Sequence, residues 1–170
     1  RAMAFMKKKR VYLMRHGKAA ASVFGGEDHL RPLTPEGEQN CRLMGRWLAA
    51  RDESPRLIIS SHAVRAYETA RIMAAQLGLN PTDIRIDKDI YFRGADRLLD
   101  ILAGLPEEEM DVLLVGHNPD MSQLVSHFSG MDVFMKTSAL YAVEFDTDNW
   151  TEIPLARRQS LYLQFARDLK

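Results

Sequence analysis

The sequence predicts an α/β fold, a three-layer α/β/α sandwich around a mainly parallel central sheet, and three observations carry that reading. Three short apolar runs, VYLM at 11–14, RLIIS at 56–60 and DVLLVG at 111–116, lack polar alternation, as strands covered on both faces do. Segments with helical spacing lie between them, the pattern of a parallel sheet with crossover helices. Each run also ends in chemically capable residues: Arg15, His16 and Gly17 after the first, Ser60, Ser61, His62 and Arg65 after the second, Gly116, His117 and Asn118 after the third. Ligands of such sheets bind beyond the carboxyl ends of the strands, so the three groups are expected to converge.

In chain order, the first strand leads to TPEGEQNCRLMGRWLAAR (34–51). There Thr34 is placed to cap a helix, Pro35 to take its first position, and Leu43, Met44, Trp47 and Leu48 to line one face. The second strand leads to a helix from about Arg65, with Ala66, Ala70, Met73 and Leu77 inward, a stop at Gly78 and Pro81 beyond. DRLLDILAGLP (96–106) and PDMSQLVSHFSG (119–130) read as two further helices on either side of the third strand, the latter ending at Gly130. SALYAVEF (138–145) and NWTEIPL (149–155) read as strands, a hairpin around DTDN, while SLYLQFARDLK (160–170) fits strand and helix equally.

The 170-residue length suits one domain, taken as 11–170, with 1–10 a flank whose first residues read in part as an expression leftover. The KKKR run at 7–10 is expected to be a solvated flank that blocks aggregation of the strand behind it. Lys and Arg total 23, as do Asp and Glu, so no global field draws the chain to nucleic acid or an anionic membrane, and an anion site has to be built locally. The single cysteine, Cys41, cannot form an intrachain disulfide or a thiolate zinc site and fits a reducing compartment, so a cytoplasmic location is expected. No run approaches the ~20 apolar residues of a membrane span.

Two arginines and two histidines just past strand ends suggest a clamp for a tetrahedral dianion, because guanidinium forks match phosphate oxygens. Gly17 allows close backbone approach, and the helix carrying Arg65 offers its N-terminus to an anion. A neutral imidazole in line with phosphorus can attack it, giving a phosphohistidine that water hydrolyses. The second histidine, once protonated, would donate to the equatorial oxygens. No cofactor or metal is required by this chemistry, and an electropositive pocket keeps the attacking imidazole neutral. A cysteine phosphatase would need an arginine six positions after Cys41, where Trp47 stands, and no P-loop motif occurs. An aspartyl phosphotransferase built on DKD (87–89) would need a small turn residue and a hydroxyl next, where Ile90 and Tyr91 stand.

RHG (15–17), RPLTPEG (31–37), SSHAVRAYETA (60–70) and VGHNP (115–119) resemble, in order and spacing, the motifs of the histidine phosphatase superfamily, with its phosphoglycerate mutase-like fold. The resemblance implies that His16 accepts the phosphoryl group, that Arg15 and Arg65 bind it, and that His117 completes the pocket, with Gly17, Ser22 and Asn118 assisting. The interval between the second arginine motif and the last histidine motif, mostly one helix, one short strand and the DRLLDILAGLP helix, is too short for a large lid insertion, so the site should be shallow and open. DHLRPLT, the compact length and KTSALYAVEF are similar to SixA-type phosphohistidine phosphatases. That likeness implies a phosphohistidine-bearing phosphotransfer protein as partner, with phosphate or sulfate able to occupy the pocket.

Leaving-group chemistry agrees, since imidazole, with a reference pKa of about 6.5, departs with less acid help than an alkyl alcohol. Larger family members carry a general acid after the second arginine motif, where Asp89 of DKDIYFRG is the match here; an exposed loop carboxylate is the alternative. His62 stands where many relatives have proline and either lines the pocket or merely caps or packs at the turn, the latter being favoured. His29 and His127 read as structural or exposed, and Lys18 as facing an acidic partner or water. Two other functions keep the fold: a small-molecule phosphomonoesterase that depends on Asp89, and a catalytically silent phosphate- or partner-binding module.

Overall fold

A computed structural model describes residues 8–22 and 25–170. Strands β1 (Lys9–Arg15), β2 (Leu57–Ser60), β3 (Arg85–Ile86), β4 (Asp111–Gly116), β5 (Leu140–Phe145) and β6 (Arg158–Gln164) form one sheet in the order β3-β2-β4-β1-β5-β6. The ladders β2–β3, β2–β4 and β1–β4 are parallel, and only β5 runs against its neighbours. Helices α1 (Pro35–Ala49) and α2 (Val64–Leu77) cover one face, and α3 (Ala95–Ala103) and α4 (Asp120–Ser129) cover the other.

Strand β1 shows why the runs lacked alternation: Val11 and Leu13 pack with Leu98, Leu124 and Phe128, while Tyr12 and Met14 pack with Met44, Ala70 and Met73. Successive side chains point to opposite faces and both faces are core, so every position is apolar. The helix signals act as expected. Thr34 Oγ1 accepts from the Gly37 amide at 3.0 Å to cap α1, and Gly78 ends α2 at φ +72°. The α/β/α sandwich is thus present, without a large insertion between α2 and β4.

Three details differ from the sequence expectation. Strand β1 begins at Lys9, inside the supposed flank, and Lys9 is fully buried, its ammonium donating to the carbonyls of Glu107 (2.6 Å) and Glu109 (2.9 Å). Its neighbours Lys8 and Arg10 pair with Glu144, so residues 8–10 alternate as a strand does, while the first seven residues of the expected flank lie outside the described residues. The expected strand at 149–155 holds a single 3₁₀ turn, Trp150–Glu152, in which Asn149 caps the Thr151 amide at 3.0 Å. Trp150 and Ile153, three apart, are both buried, which is helical rather than strand spacing. The ambiguous C-terminal segment divides: β6 pairs with β5 as an edge strand, and a 3₁₀ turn at Ala166–Leu169 follows it. No helix among the described residues is long and apolar enough to cross a membrane.

Candidate active site

The carboxyl ends of β1, β2 and β4 do converge, and a cleft of about 300 Å³ opens there, lined by Arg15, His16, Lys18, Ala19, Arg31, Arg65, Phe92, His117, Asn118 and Thr137. A larger groove of about 900 Å³ lies at the opposite strand ends, around Lys8, Asp52, Arg56 and Asp111, and contains no histidine. The floor is built from β1 outward. The His16 amide donates to the Gly116 carbonyl at 3.1 Å, the Arg15 amide to the Ala139 carbonyl at 3.2 Å, and the Ser138 amide to both residues' carbonyls, so the strand end is tied to both its neighbours.

His16 is 7% exposed, and its Nδ1–H donates to the Gly17 carbonyl at 2.7 Å, which leaves the Nε2 lone pair in the cleft facing Arg65 Nε–H at 3.2 Å. Because an arginine nitrogen only donates, this geometry selects the neutral Nδ1–H tautomer. Burial, reinforced by Arg65, Arg15 and Arg31, lowers the His16 pKa to about 4. His117 accepts at Nδ1 from Arg65 Nη2 at 3.4 Å, and its Nε2–H donates to Ser61 Oγ at 2.8 Å. Burial, then the neighbouring His16 and Arg65, brings its pKa down to about 3. The unliganded His117 is therefore neutral, and the expected imidazolium requires the arrival of a dianion, whose charge favours the protonated form.

Arg65 is almost wholly buried because α2 carries it inward one turn after β2, with Thr69 Oγ1 donating to its carbonyl at 2.8 Å. Its guanidinium is held by a residue that sequence reasoning missed: Nη1 donates to the Asp28 carbonyl at 2.8 Å and Nη2 to Asp28 Oδ2 at 3.0 Å. Asp28 also accepts from Arg31 Nε at 3.0 Å and from the Tyr91 hydroxyl at 2.5 Å. These partners, Tyr91 first, then Arg65 and Arg31, hold its carboxyl well below the usual carboxylate range. The one sequence signal was the Asp28/Arg31 pair in DHLRPLT, three residues apart. Arg15 is the less engaged cation: Nη1 donates to the Met135 carbonyl at 3.1 Å, Phe134 stacks on the guanidinium at 5.8 Å, and the buried Nε has no hydrogen bond.

The remaining expected site residues are placed differently. The Gly17 amide is taken by Thr69 Oγ1 at 3.0 Å, and a Cβ there would lie 2.8 Å from Cys41 Sγ, so the glycine serves packing rather than anion contact. Asn118 lines the cleft, but its Oδ1 accepts from the Ser122 amide and hydroxyl and its Nδ2 donates to the Met135 carbonyl, which ties α4 to the loop beside Arg15. Ser22 is exposed and does not line the cleft.

Asp89 is also outside the lining. Its Oδ2 accepts twice from Arg97, at 2.6 and 3.0 Å, and Arg97 keeps it ionised, so the expected general acid is neither in place nor protonated. His62 lies outside the lining and packs at the turn, as favoured, its ring 5.0 Å from Tyr91 and 5.6 Å from His29, and it does not cap α2. Lys18 pairs with Glu36 at 3.3 Å. Among the described residues no three His, Cys, Asp or Glu side chains gather as metal ligands would.

The sandwich and its strand-end pairs of arginine and histidine define a phosphatase of phosphoglycerate mutase-like fold. The family model of the histidine phosphatase superfamily (branch 1) matches residues 11–91, and the chain belongs to that superfamily. It is 29% identical over 154 residues to phosphohistidine phosphatase SixA of Escherichia coli, covering 85% of this chain and 94% of that protein. An uncharacterized protein of Picosynechococcus sp. is 35% identical, over 66% of this chain and 68% of its own. The solved structure of the protein histidine phosphatase SixA complexed with tungstate shares the fold at TM-score 0.76, with 24% identity over 95% of this chain and 99% of that one.

Proposed function

We propose that this phosphatase removes phosphate from histidine on a phosphotransfer protein, through a phosphohistidine formed on His16 and without metal. The observation that carries the reading is the state of His16, a buried neutral imidazole whose Nε2 lone pair faces the cleft while Nδ1–H is held by the Gly17 carbonyl. In the first step Nε2 attacks phosphorus as the bond from phosphorus to the substrate's nitrogen breaks. The substrate imidazole, protonated on its other nitrogen, leaves neutral. In the second step a water oxygen attacks, the P–Nε2 bond breaks, its electron pair returns to His16, and the water's proton passes to solvent. His16 keeps its Nδ1 proton throughout.

Arg15 and Arg65 take the phosphoryl oxygens, and His117, protonated once the dianion is bound, donates from Nδ1. Two features favour phosphohistidine over an alkyl phosphate. Among the described residues no carboxylic acid stands ready to protonate a poor leaving group, since Asp89 is ionised with Arg97 and Asp28 with Arg65. The cleft is also open, as a histidine displayed on another protein requires.

The test is incubation of the protein and His16→Ala with a phosphohistidine-bearing phosphotransfer domain and a panel of phosphomonoesters, in chelator. Phosphate loss chiefly from the domain is expected, with turnover reduced at least ~10³-fold by His16→Ala while phosphate binding persists. Preference for a small ester, or full activity of the variant, overturns the proposal.

A further inference from the structure

We infer that Phe92 is a specificity-determining residue, a stacking platform for the flat ring of the leaving group. The inference rests on the phosphohistidine reading above and deepens it by assigning the residue that recognises the departing imidazole. Three observations converge on Phe92. Its backbone is left-handed, at φ +57°, where a bulky side chain is strained and glycine or asparagine would be relaxed. The residue is 46% exposed and is part of the cleft wall, so burial does not account for keeping the strain. The ring is also fixed from behind: it lies 4.7 Å from His117 with 36° between planes, and Tyr91 packs its ring 4.7 Å away at 61°. Tyr91 is in turn tied by its hydroxyl to Asp28.

In-line attack supplies the direction. The leaving atom must stand across phosphorus from His16 Nε2, and His16 forms the buried floor, so the leaving group points to the mouth where Phe92 stands. An imidazole there meets a rigid aromatic face, whereas an alkyl or amino leaving group gains little from it.

The experiment compares wild type, Phe92→Leu, Phe92→Gly and Phe92→Tyr on phosphohistidine and on phosphoramidate, which shares the P–N bond but carries no ring. Leucine keeps bulk and glycine relieves the left-handed backbone, so between them folding is preserved. The KM for phosphohistidine is expected to rise roughly three- to tenfold more than that for phosphoramidate in the Leu and Gly variants, any change passed through His117 being common to both substrates, with Phe92→Tyr resembling wild type. Equal effects on both substrates, or none, overturn the platform. Wild-type hydrolysis of phosphomonoesters alone would overturn the substrate reading instead. The same variants on phenyl phosphate and glycerol phosphate then decide the platform by the same criterion.

Discussion

Arg65 has its guanidinium packed among two histidines and one carboxylate, and Asp28 is the group that makes this tolerable. An arginine taken out of water needs its donors satisfied and its charge balanced, and Asp28 does both through its carbonyl and Oδ2. Losing that carboxylate removes a charge-assisted hydrogen bond from a partly exposed site. Asp28→Ala is therefore expected to lower kcat/KM about tenfold, and Asp28→Asn, which keeps an acceptor, by less; steady-state kinetics on the phosphorylated domain check both. Arg15, His16, Arg65 and His117 were legible because each lies at a strand end or in a first helical turn, positions that hydrophobic runs mark. Asp28, Tyr91 and Phe92 were not, since their loops are shaped by contacts with residues tens of positions away. Asp89 matches the acid by motif position alone, and nothing local in the sequence announces that Arg97 takes its carboxylate.

Strand β1 and helix α1 meet through Gly17, where Cys41 Sγ, the Gly37 carbonyl and Leu33 leave no room for a side chain. Gly17→Ala is expected to destabilise the fold by about 1–3 kcal/mol through overpacking, with part of the loss restored by adding Cys41→Ala. Urea denaturation of the single and double variants measures this, and a neutral Gly17→Ala would show that the contact yields. At this scale the helices were the readable elements, because caps and periodicity act within a few residues. Strand β3, two exposed residues on an edge, answers to the one short strand expected between the second helix and DRLLDILAGLP, whereas the turn at Trp150 was not foreseen because the tryptophan's anchor, the Glu109 carbonyl 2.8 Å from Nε1, is far off in sequence.

Across the whole molecule, burying two neutral histidines makes stability depend on pH in a definite direction. The native pKa values, about 4 for His16 and about 3 for His117, lie below the ~6.5 of an unfolded histidine. From about pH 6.5 downward the unfolded chain takes up protons that the native state refuses, so stability falls until those native values are reached; above that window these groups contribute no slope. Asp28 adds to the loss below about pH 4, as its depressed native pKa makes protonation favour unfolding. Melting temperature recorded from pH 8 to 4 should decline for the wild type and decline less for a His16→Ala/His117→Ala variant. Equal slopes would mean that the imidazoles are hydrated.

The backbone around His16 is secured by Gly116 on one side and by Ser138 and Ala139 on the other, partners roughly a hundred residues along the chain. No local segment can assemble that arrangement by itself. The catalytic floor therefore has high contact order: loop-closure entropy must be overcome on both flanks of β1 before the imidazole is aligned, which makes regain of activity a reporter of completed sheet assembly rather than of early helix formation.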